Sequence, residues 1–296
     1  MTDRAAHFLT GEELSDGELR DLLARAVELK ADPAASRVLD GRSVALIFEA
    51  PSTRTRVSFE TGIHELGGHA VILRGEETQL ARGESLRDTA YVLSRHVAAV
   101  GIRTGPHETA QELADHAGVP VINMLTAQHH PCQALADLMT LQEAFGDLRG
   151  LKLAYVGDGN NVARSLAILG ARAGVQVRVA APEGYQLEPV AGAQLTDDPR
   201  EAVAGADALY TDVWVSMGDD QATAESRRAA LDRYRLDESL LELAAERAIV
   251  LHCLPAHPGE EITEGLLYGP RQRIWAQAEN RRHAQKALLE HLLTGV

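Results

Sequence analysis

The sequence predicts an α/β protein made of two doubly wound parallel-sheet domains. Short apolar runs alternate with amphipathic segments along the chain, which is the pattern of parallel strands covered by helices on both faces. The alternation restarts after the loop Phe145–Gly150. The 296 residues make two domains at roughly 100–200 residues each.

In the first half, Ser43–Phe48 reads as a buried strand. Thr53–Leu66 reads as a helix, with Val57, Phe59, Ile63 and Leu66 at helical spacing and Gly67-Gly68 ending it. Strands follow at Ala70–Leu73, Val97–Ile102 and Val119–Asn123, with helices at Ser85–Ser94 and His107–His116. Pro131–Phe145 is a helix opened by proline, whose missing N–H costs nothing in the first turn. In the second half, strands are expected at Leu151–Val156, Val175–Ala180, Asp207–Tyr210 and Ala248–Leu251. Helices are expected at Asn161–Ala173, Asp198–Val203, Asp237–Ala245 and from Ala278 to Leu293. Gly218–Arg228 is polar and reads as a mobile loop.

Composition narrows the function. A hydrophobic fraction of 45% and a charged fraction of 24% are those of an ordinary globular protein. The net charge of −14 argues against nucleic acid or an anionic membrane as partner, although local arginines can still reverse the field around a small anion. No apolar run approaches the ~18 residues that span a bilayer, and Met1–His7 has no signal-like apolar core. Two cysteines, Cys132 and Cys253, fit a reducing cytoplasm and form neither a zinc ribbon nor a redox pair. A cytoplasmic location is expected.

Pro51-Ser52-Thr53-Arg54-Thr55-Arg56 leaves a strand and opens a helix. The first N–H groups of a helix lack internal partners and sit at the positive end of its dipole, so such a terminus receives anions. Ser52, Thr53 and Thr55 add hydroxyls, and Arg54 adds a fork matched to phosphate. The stretch Phe48–Glu60 resembles the carbamoyl phosphate loop of the aspartate/ornithine carbamoyltransferase family, with Ala50 where lysine is common. His130-Pro131-Cys132-Gln133 is similar to the family's H-P-x-Q motif, and Arg103 matches its arginine on the substrate carbonyl. Amine attack on a carbonyl builds negative charge on oxygen, and Arg103, His130 and Thr55 are candidate donors to it. Gln79 lies in a segment resembling the loop that reaches a neighbouring subunit's phosphate, and Ala278–Arg281 resembles the family's A-E-N-R, which implies that Arg281 completes carbamoyl phosphate binding.

The acceptor is read from the second half. Gly157-Asp158-Gly159-Asn160-Asn161 resembles the ornithine branch of the family, which implies that Asn161 binds the amino-acid backbone. Asp212-Val213-Trp214-Val215-Ser216-Met217-Gly218 matches D-x-W-x-S-M-G, which implies Asp212 on the α-amine with Ser216 and Met217 beside it. His252-Cys253-Leu254-Pro255 matches H-C-L-P, which implies Cys253 near the attacking amine and Leu254 at carbamoyl phosphate. An amine with pKa near ~10 must lose a proton before it attacks, and both Cys253 and Asp212 are available to take it. Asp220, where glutamate is common, and Pro258, where arginine is common, depart slightly from the family pattern.

The resemblance implies transfer from carbamoyl phosphate to the δ-amine of L-ornithine, giving L-citrulline and phosphate. It implies no cofactor, no metal and a homotrimer or a multiple of it. It assigns residues 1–146 with the C-terminal helix 278–296 to carbamoyl phosphate and residues 147–277 to ornithine, the last helix packing back on the first domain. The site is expected in a cleft at the carboxyl ends of the strands. Putrescine or aspartate as acceptor, and a non-catalytic ligand-binding protein on the same scaffold, are the alternatives. A dinucleotide fold fails because the third glycine of G-x-G-x-x-G is Val162, and a zincin helix fails because its second histidine is Gly68. His129, His130, His252 and His257 can be explained without a metal.

Overall fold

The computed structural model describes residues 6–215 and 221–295. It divides into two units, residues 1–139 with 279–296, and residues 140–278.

Unit 1 opens with α1 (Asp16–Ala31), fixed by a capping box in which Ser15 and Glu18 satisfy each other's backbone N–H groups. Four parallel strands follow, β1 (Ser43–Phe48), β2 (His69–Arg74), β3 (Ala99–Arg103) and β4 (Val121–Leu125), in the order β2-β1-β3-β4. They are linked by α2 (Thr53–Glu65), α3 (Leu86–Leu93) and α4 (His107–His116), with a 3-10 turn at Gln79–Arg82. The apolar run of β1 is buried because helices cover both faces of a parallel sheet. Leu9, Ile47, Val100, Ile102, Leu113 and Val121 form one core cluster there. Phe8 pairs with the edge of β4, its N–H donating to the Val121 carbonyl at 2.9 Å, so the edge strand is not left bare.

Helix α5 (Pro131–Phe145) runs from the residues of unit 1 into those of unit 2. Unit 2 carries β5 (Lys152–Val156), α6 (Asn161–Arg172), β6 (Gln176–Ala180), β7 (Ala193–Thr196), α7 (Pro199–Val203) and β8 (Ala208–Thr211). These are followed by α8 (Gln221–Leu231), α9 (Glu238–Leu241), β9 (Ile249–His252) and α10 (Glu264–Leu267). The sheet order is β7-β6-β5-β8-β9, all parallel. Val156, Leu209, Leu236, Val250, Ile262 and Ile274 form its core. Helix α11 (Ile274–Thr294) begins among the residues of unit 2, and from Glu279 onward it belongs to unit 1.

In both sheets the chain winds outward in one direction from the first strand and then returns to wind in the other. The switch lies between β1 and β3 in unit 1 and between β5 and β8 in unit 2. In open α/β sheets the carboxyl ends at such a switch are where ligands bind.

Three sequence expectations need correction. Asp237–Ala245 is not one helix but the single turn α9, because the Ala245 N–H donates to the Ala206 carbonyl and the Leu243 carbonyl accepts from Gly205. Within Gly218–Arg228, residues 221–228 are helical as part of α8, and residues 218–220 lie outside the described residues. The last helix starts at Ile274 rather than Ala278. Helix α1 and strand β7 were not anticipated.

Candidate active site

The site in unit 1 is assembled at the β1/β3 switch. The chain leaves β1 through Glu49–Ser52 and enters α2. Ser52 is the N-cap residue, yet its side chain makes no capping hydrogen bond, and no acidic residue occupies the first turn. The leading N–H groups of α2 are therefore left to a ligand. Arg54 makes no side-chain hydrogen bond or ion pair among the described residues, whereas Arg56 is paired with Glu60 at 2.9 Å. Beside β1, the Glu49 N–H donates to the Arg103 carbonyl at 3.0 Å and the Thr104 hydroxyl donates to the Glu49 carboxylate, which ties the two strand ends together.

Two guanidinium groups converge on the Thr55 hydroxyl. Thr55 is buried in the first turn of α2. Arg281, from α11, donates to its Oγ1 at 2.7 Å, and Arg103, at the end of β3, reaches the same oxygen at 3.5 Å. Arg281 also donates to Gln133 Oε1, and its Nη1 lies 3.4 Å from His130 Nε2. Gln133 is anchored in turn by donating to Asp137 at 2.8 Å. His130, Gln133 and Arg281 are all buried. Burial, reinforced by the Arg281 and Arg103 cations, holds the His130 imidazole well below its usual range, so the neutral ring is the working species. The cluster is a set of cationic and neutral donors suited to a carbonyl oxygen that gains negative charge.

The neighbouring Cys132 is a different matter. Burial pushes its thiol up to about 12, and its Sγ donates to the Asn123 carbonyl at 3.4 Å, so it packs as a small hydrophobe. A cleft of about 400 Å³ lies on another side of the loop, lined by Glu49, Ser52, Thr53, Arg56, Arg74 and Glu76. Its walls omit Thr55, Arg103 and His130, so it is not where the carbonyl donors meet. Gln79 is exposed in its 3-10 turn, with no side-chain hydrogen bond to this cluster among the described residues.

Unit 2 builds its own site at the β5/β8 switch. Gly157 leaves β5 with φ 137°, and a Cβ there would sit 3.4 Å from Thr211 Oγ1. At Gly159 a Cβ would fall 2.2 Å from the Leu187 nitrogen, so this glycine exists for the approach of the chain's own backbone rather than for a dinucleotide. Asn160 caps α6, its Oδ1 accepting from the N–H groups of Val162 and Ala163 at 2.9 and 3.2 Å. The same oxygen accepts from the Tyr155 hydroxyl at 3.1 Å. Its Nδ2 donates to Asp212 Oδ2 at 2.9 Å, and the Cys253 thiol donates to Asp212 Oδ1 at 2.9 Å. Burial, and then the negative charge of Asp212 and Asp158 and the nearby Cys253, holds the Tyr155 phenol well above its usual range, so it stays a donor.

Asp212 is buried, and among the described residues no cationic side chain pairs with it. Asp158, by contrast, is paired with Arg227, whose guanidinium lies 5.2 Å from the centre of the Tyr185 ring.

The Cys253 loop is held from behind. His252 Nδ1 accepts from the Leu254 N–H at 2.9 Å, which leaves the ring proton on Nε2 to meet Glu261 Oε1 at 3.1 Å. Burial pushes the Glu261 carboxyl up, but the hydrogen bonds from His252 and from the His257 N–H outweigh it and leave the pKa lowered. Leu254 has φ 63°, a left-handed conformation that a non-glycine residue holds only when its surroundings impose it. His257, Glu260 and Glu261 each place one donor atom within 4.8 Å of the others, but Glu260 already accepts from Arg228 at 3.0 Å.

The structure thus gathers Thr55, Arg103, His130, Gln133 and Arg281 in unit 1, and Asp212 and Cys253 in unit 2. Asn161 is the first residue of α6. Its neighbour Asn160, which donates to Asp212, is a residue the sequence reading missed. Ser216 and Met217 lie outside the described residues.

The fold and these two constellations define a two-domain transferase class. Residues 6–143 match the model of the aspartate/ornithine carbamoyltransferase carbamoyl-P binding domain, and residues 149–292 match that of its Asp/Orn binding domain. The chain belongs to this family. Among its relatives is an ornithine carbamoyltransferase of Acidothermus cellulolyticus, 54% identical over 97% of this chain and 96% of that one. An ornithine carbamoyltransferase structure from Pyrococcus furiosus aligns with TM-score 0.92 at 43% identity, over 100% of this chain and 99% of that one. One from Thermus thermophilus aligns with TM-score 0.88 at 46% identity, over 95% and 96%. No helix among the described residues is long and apolar enough to cross a membrane.

Proposed function

We propose that the protein transfers the carbamoyl group of carbamoyl phosphate to the δ-amine of L-ornithine, releasing L-citrulline and phosphate. The observation that carries the acceptor is Asp212, a buried carboxylate with donors but no cationic partner among the described residues. A buried charge of that kind is costly unless it is paired, and the α-ammonium of an amino acid pairs it. Aspartate as acceptor would offer it a second carboxylate, and putrescine would bring no α-amino acid group.

On the carbamoyl side, the open terminus of α2 with Ser52, Thr53 and Arg54 takes the phosphate. Arg103, His130, Thr55 and Arg281 surround the carbonyl, and Gln133 takes the carbamoyl amide. Gln79 reaches the phosphate of a neighbouring subunit, and Leu254 borders the carbamoyl group. Ornithine rests on Asn161, Asp212, Ser216 and Met217. Its δ-amine loses a proton toward the Cys253–Asp212 pair, and its lone pair then attacks the carbonyl carbon. The oxyanion is stabilised by the preset donors, and its collapse breaks the bond to the phosphate oxygen, the departing phosphate taking the second proton from the attacking nitrogen. Positioning supplies the rest of the acceleration.

Residues 1–146 with 278–296 form the carbamoyl phosphate domain, and residues 147–277 form the ornithine domain. The working assembly is a homotrimer in the cytoplasm. Supporting self-association, Val57, Tyr91 and Val92 are exposed on α2 and α3, in the same unit as the Gln79 turn.

The test is citrulline formation with carbamoyl phosphate and ornithine, aspartate or putrescine at equal concentration. Ornithine is expected to be preferred by orders of magnitude. Preference for another acceptor overturns the reading of Asp212, and no transfer to any of them overturns the enzyme reading. Light scattering on the purified protein reads the trimer.

A further inference from the structure

Lys286 is a buried lysine to which the reaction assigns no task. It is 0% exposed on α11, and its Nζ donates to Glu65 Oε2 at 2.6 Å and to the Leu29 carbonyl of α1 at 3.0 Å. The other Glu65 oxygen lies 3.3 Å from Arg282 Nη1. Arg282 and Lys286 are four residues apart, hence on one face of α11, and both clasp the last residue of α2. The two helices also approach closely at Gly62, where a Cβ would stand 3.1 Å from Lys286 Cγ and 3.4 Å from the Arg282 carbonyl oxygen.

The opposite end of α2 is the anion terminus. Thr55 and Glu65 are ten residues apart, about 15 Å along the helix. Arg281, which meets Thr55 at 2.7 Å, is next to Arg282 on α11. A second tie holds the same turn, where Lys30 donates to Asn280 at 2.8 Å. Close packing resists sliding of one helix on another, and a directional buried ion pair adds a register constraint of its own. Replacing a buried ion pair with apolar side chains is often neutral or stabilising, so stability alone does not account for this one.

We propose that Glu65 and Lys286 are positioning residues for carbamoyl phosphate. Their ion pair sets the register of α11 against α2, so that Arg281 arrives at Thr55, His130 and Gln133. The proposal rests on the reading of unit 1 as the carbamoyl phosphate site.

The experiment compares wild type with the double variant Glu65→Gln/Lys286→Met, in which neither charge is left buried alone. A single Lys286→Met change leaves the Glu65 carboxylate with Arg282 as its remaining cationic partner and removes the buried half of the pair. Melting of the double variant is expected within about 4 °C of wild type. The KM for carbamoyl phosphate is expected to rise about 5- to 10-fold, with the KM for ornithine within about 2-fold, the scale of one weakened charge-assisted contact. Calorimetry with inorganic phosphate should show a matching rise in Kd. An unchanged KM for carbamoyl phosphate with a lowered melting temperature would reduce the pair to a structural role, and an equal rise in both KM values would do the same. If wild type makes no citrulline, the proposed function fails separately. The phosphate titration still decides the positioning question, since an unchanged Kd in the double variant overturns it.

Discussion

The β1–α2 and β5–α6 junctions occupy the same topological place in their sheets and are built to opposite electrostatic ends. The first leaves its helix uncapped, free of acidic residues in its first turn and surrounded by Arg54, Arg103 and Arg281. The second closes its helix with Asn160 and faces a buried carboxylate, Asp212. Capping is thus a choice with functional content. An N-terminus satisfied from within repels the use of its dipole, and one left open attracts an anion.

The comparison is easiest to break at Arg54. Arg54→Ala is expected to lower kcat/KM for carbamoyl phosphate about 10²- to 10³-fold, with circular dichroism unchanged. Normal turnover in that variant would mean the anion binds elsewhere. Ser52→Asp turns the first junction into a version of the second by adding a capping carboxylate. It should stabilise the fold by about 0.5–1 kcal/mol while cutting phosphate affinity about 100-fold. A titration showing both properties improved would dismiss the contrast. Asn160 separates cap from contact. Asn160→Ser keeps a capping oxygen but loses the amide donor to Asp212, so the KM for ornithine should rise about 10-fold, with more stability retained than in Asn160→Ala, which loses about 1 kcal/mol of cap as well. Equal ornithine KM values for wild type and Asn160→Ser would remove Asn160 from the acceptor site.

The smallest effect concerns the helix that supplies Arg281. Burial, with Arg282, Lys286 and Lys30 around it, lowers the His283 pKa from 6.5 to about 3. The unfolded chain binds a proton in that interval and the folded chain refuses it. The stabilisation is therefore complete above pH 6.5 and is lost as pH falls toward 3. His283→Gln should flatten the fall in stability between pH 6.5 and 4, measured by urea unfolding. An unaltered slope would show that carboxylates alone account for the acid sensitivity.

Much of this was legible in the sequence because parallel strands buried on both faces are unbroken apolar runs, as in Ser43–Phe48. Helix α8 was not legible. Gln221–Leu231 is polar enough to read as loop, since of its described side chains only Ala224 and Leu231 are buried. Helix α1 carried a readable signal in Ser15 and Glu18 that went unused. The placement of Arg103, His130 and Arg281 came from the family resemblance, because no local rule links residues 150 positions apart. The second contact of Asn160 was not legible: a helix cap is a local pattern, but its amide donating to Asp212, 52 residues on, depends on the path of the chain out of Gly159.

Arg281 also sets when the buried donor cluster of unit 1 can be complete during synthesis. Residues 140–278 must be made between the two pieces of unit 1. At roughly 5–20 residues per second, that interval is on the order of ten seconds on the ribosome. The nascent first half carries its sheet and its open helix terminus through that time without the guanidinium that completes them. The full set of donors around Thr55 therefore comes together only after Arg281 has been made.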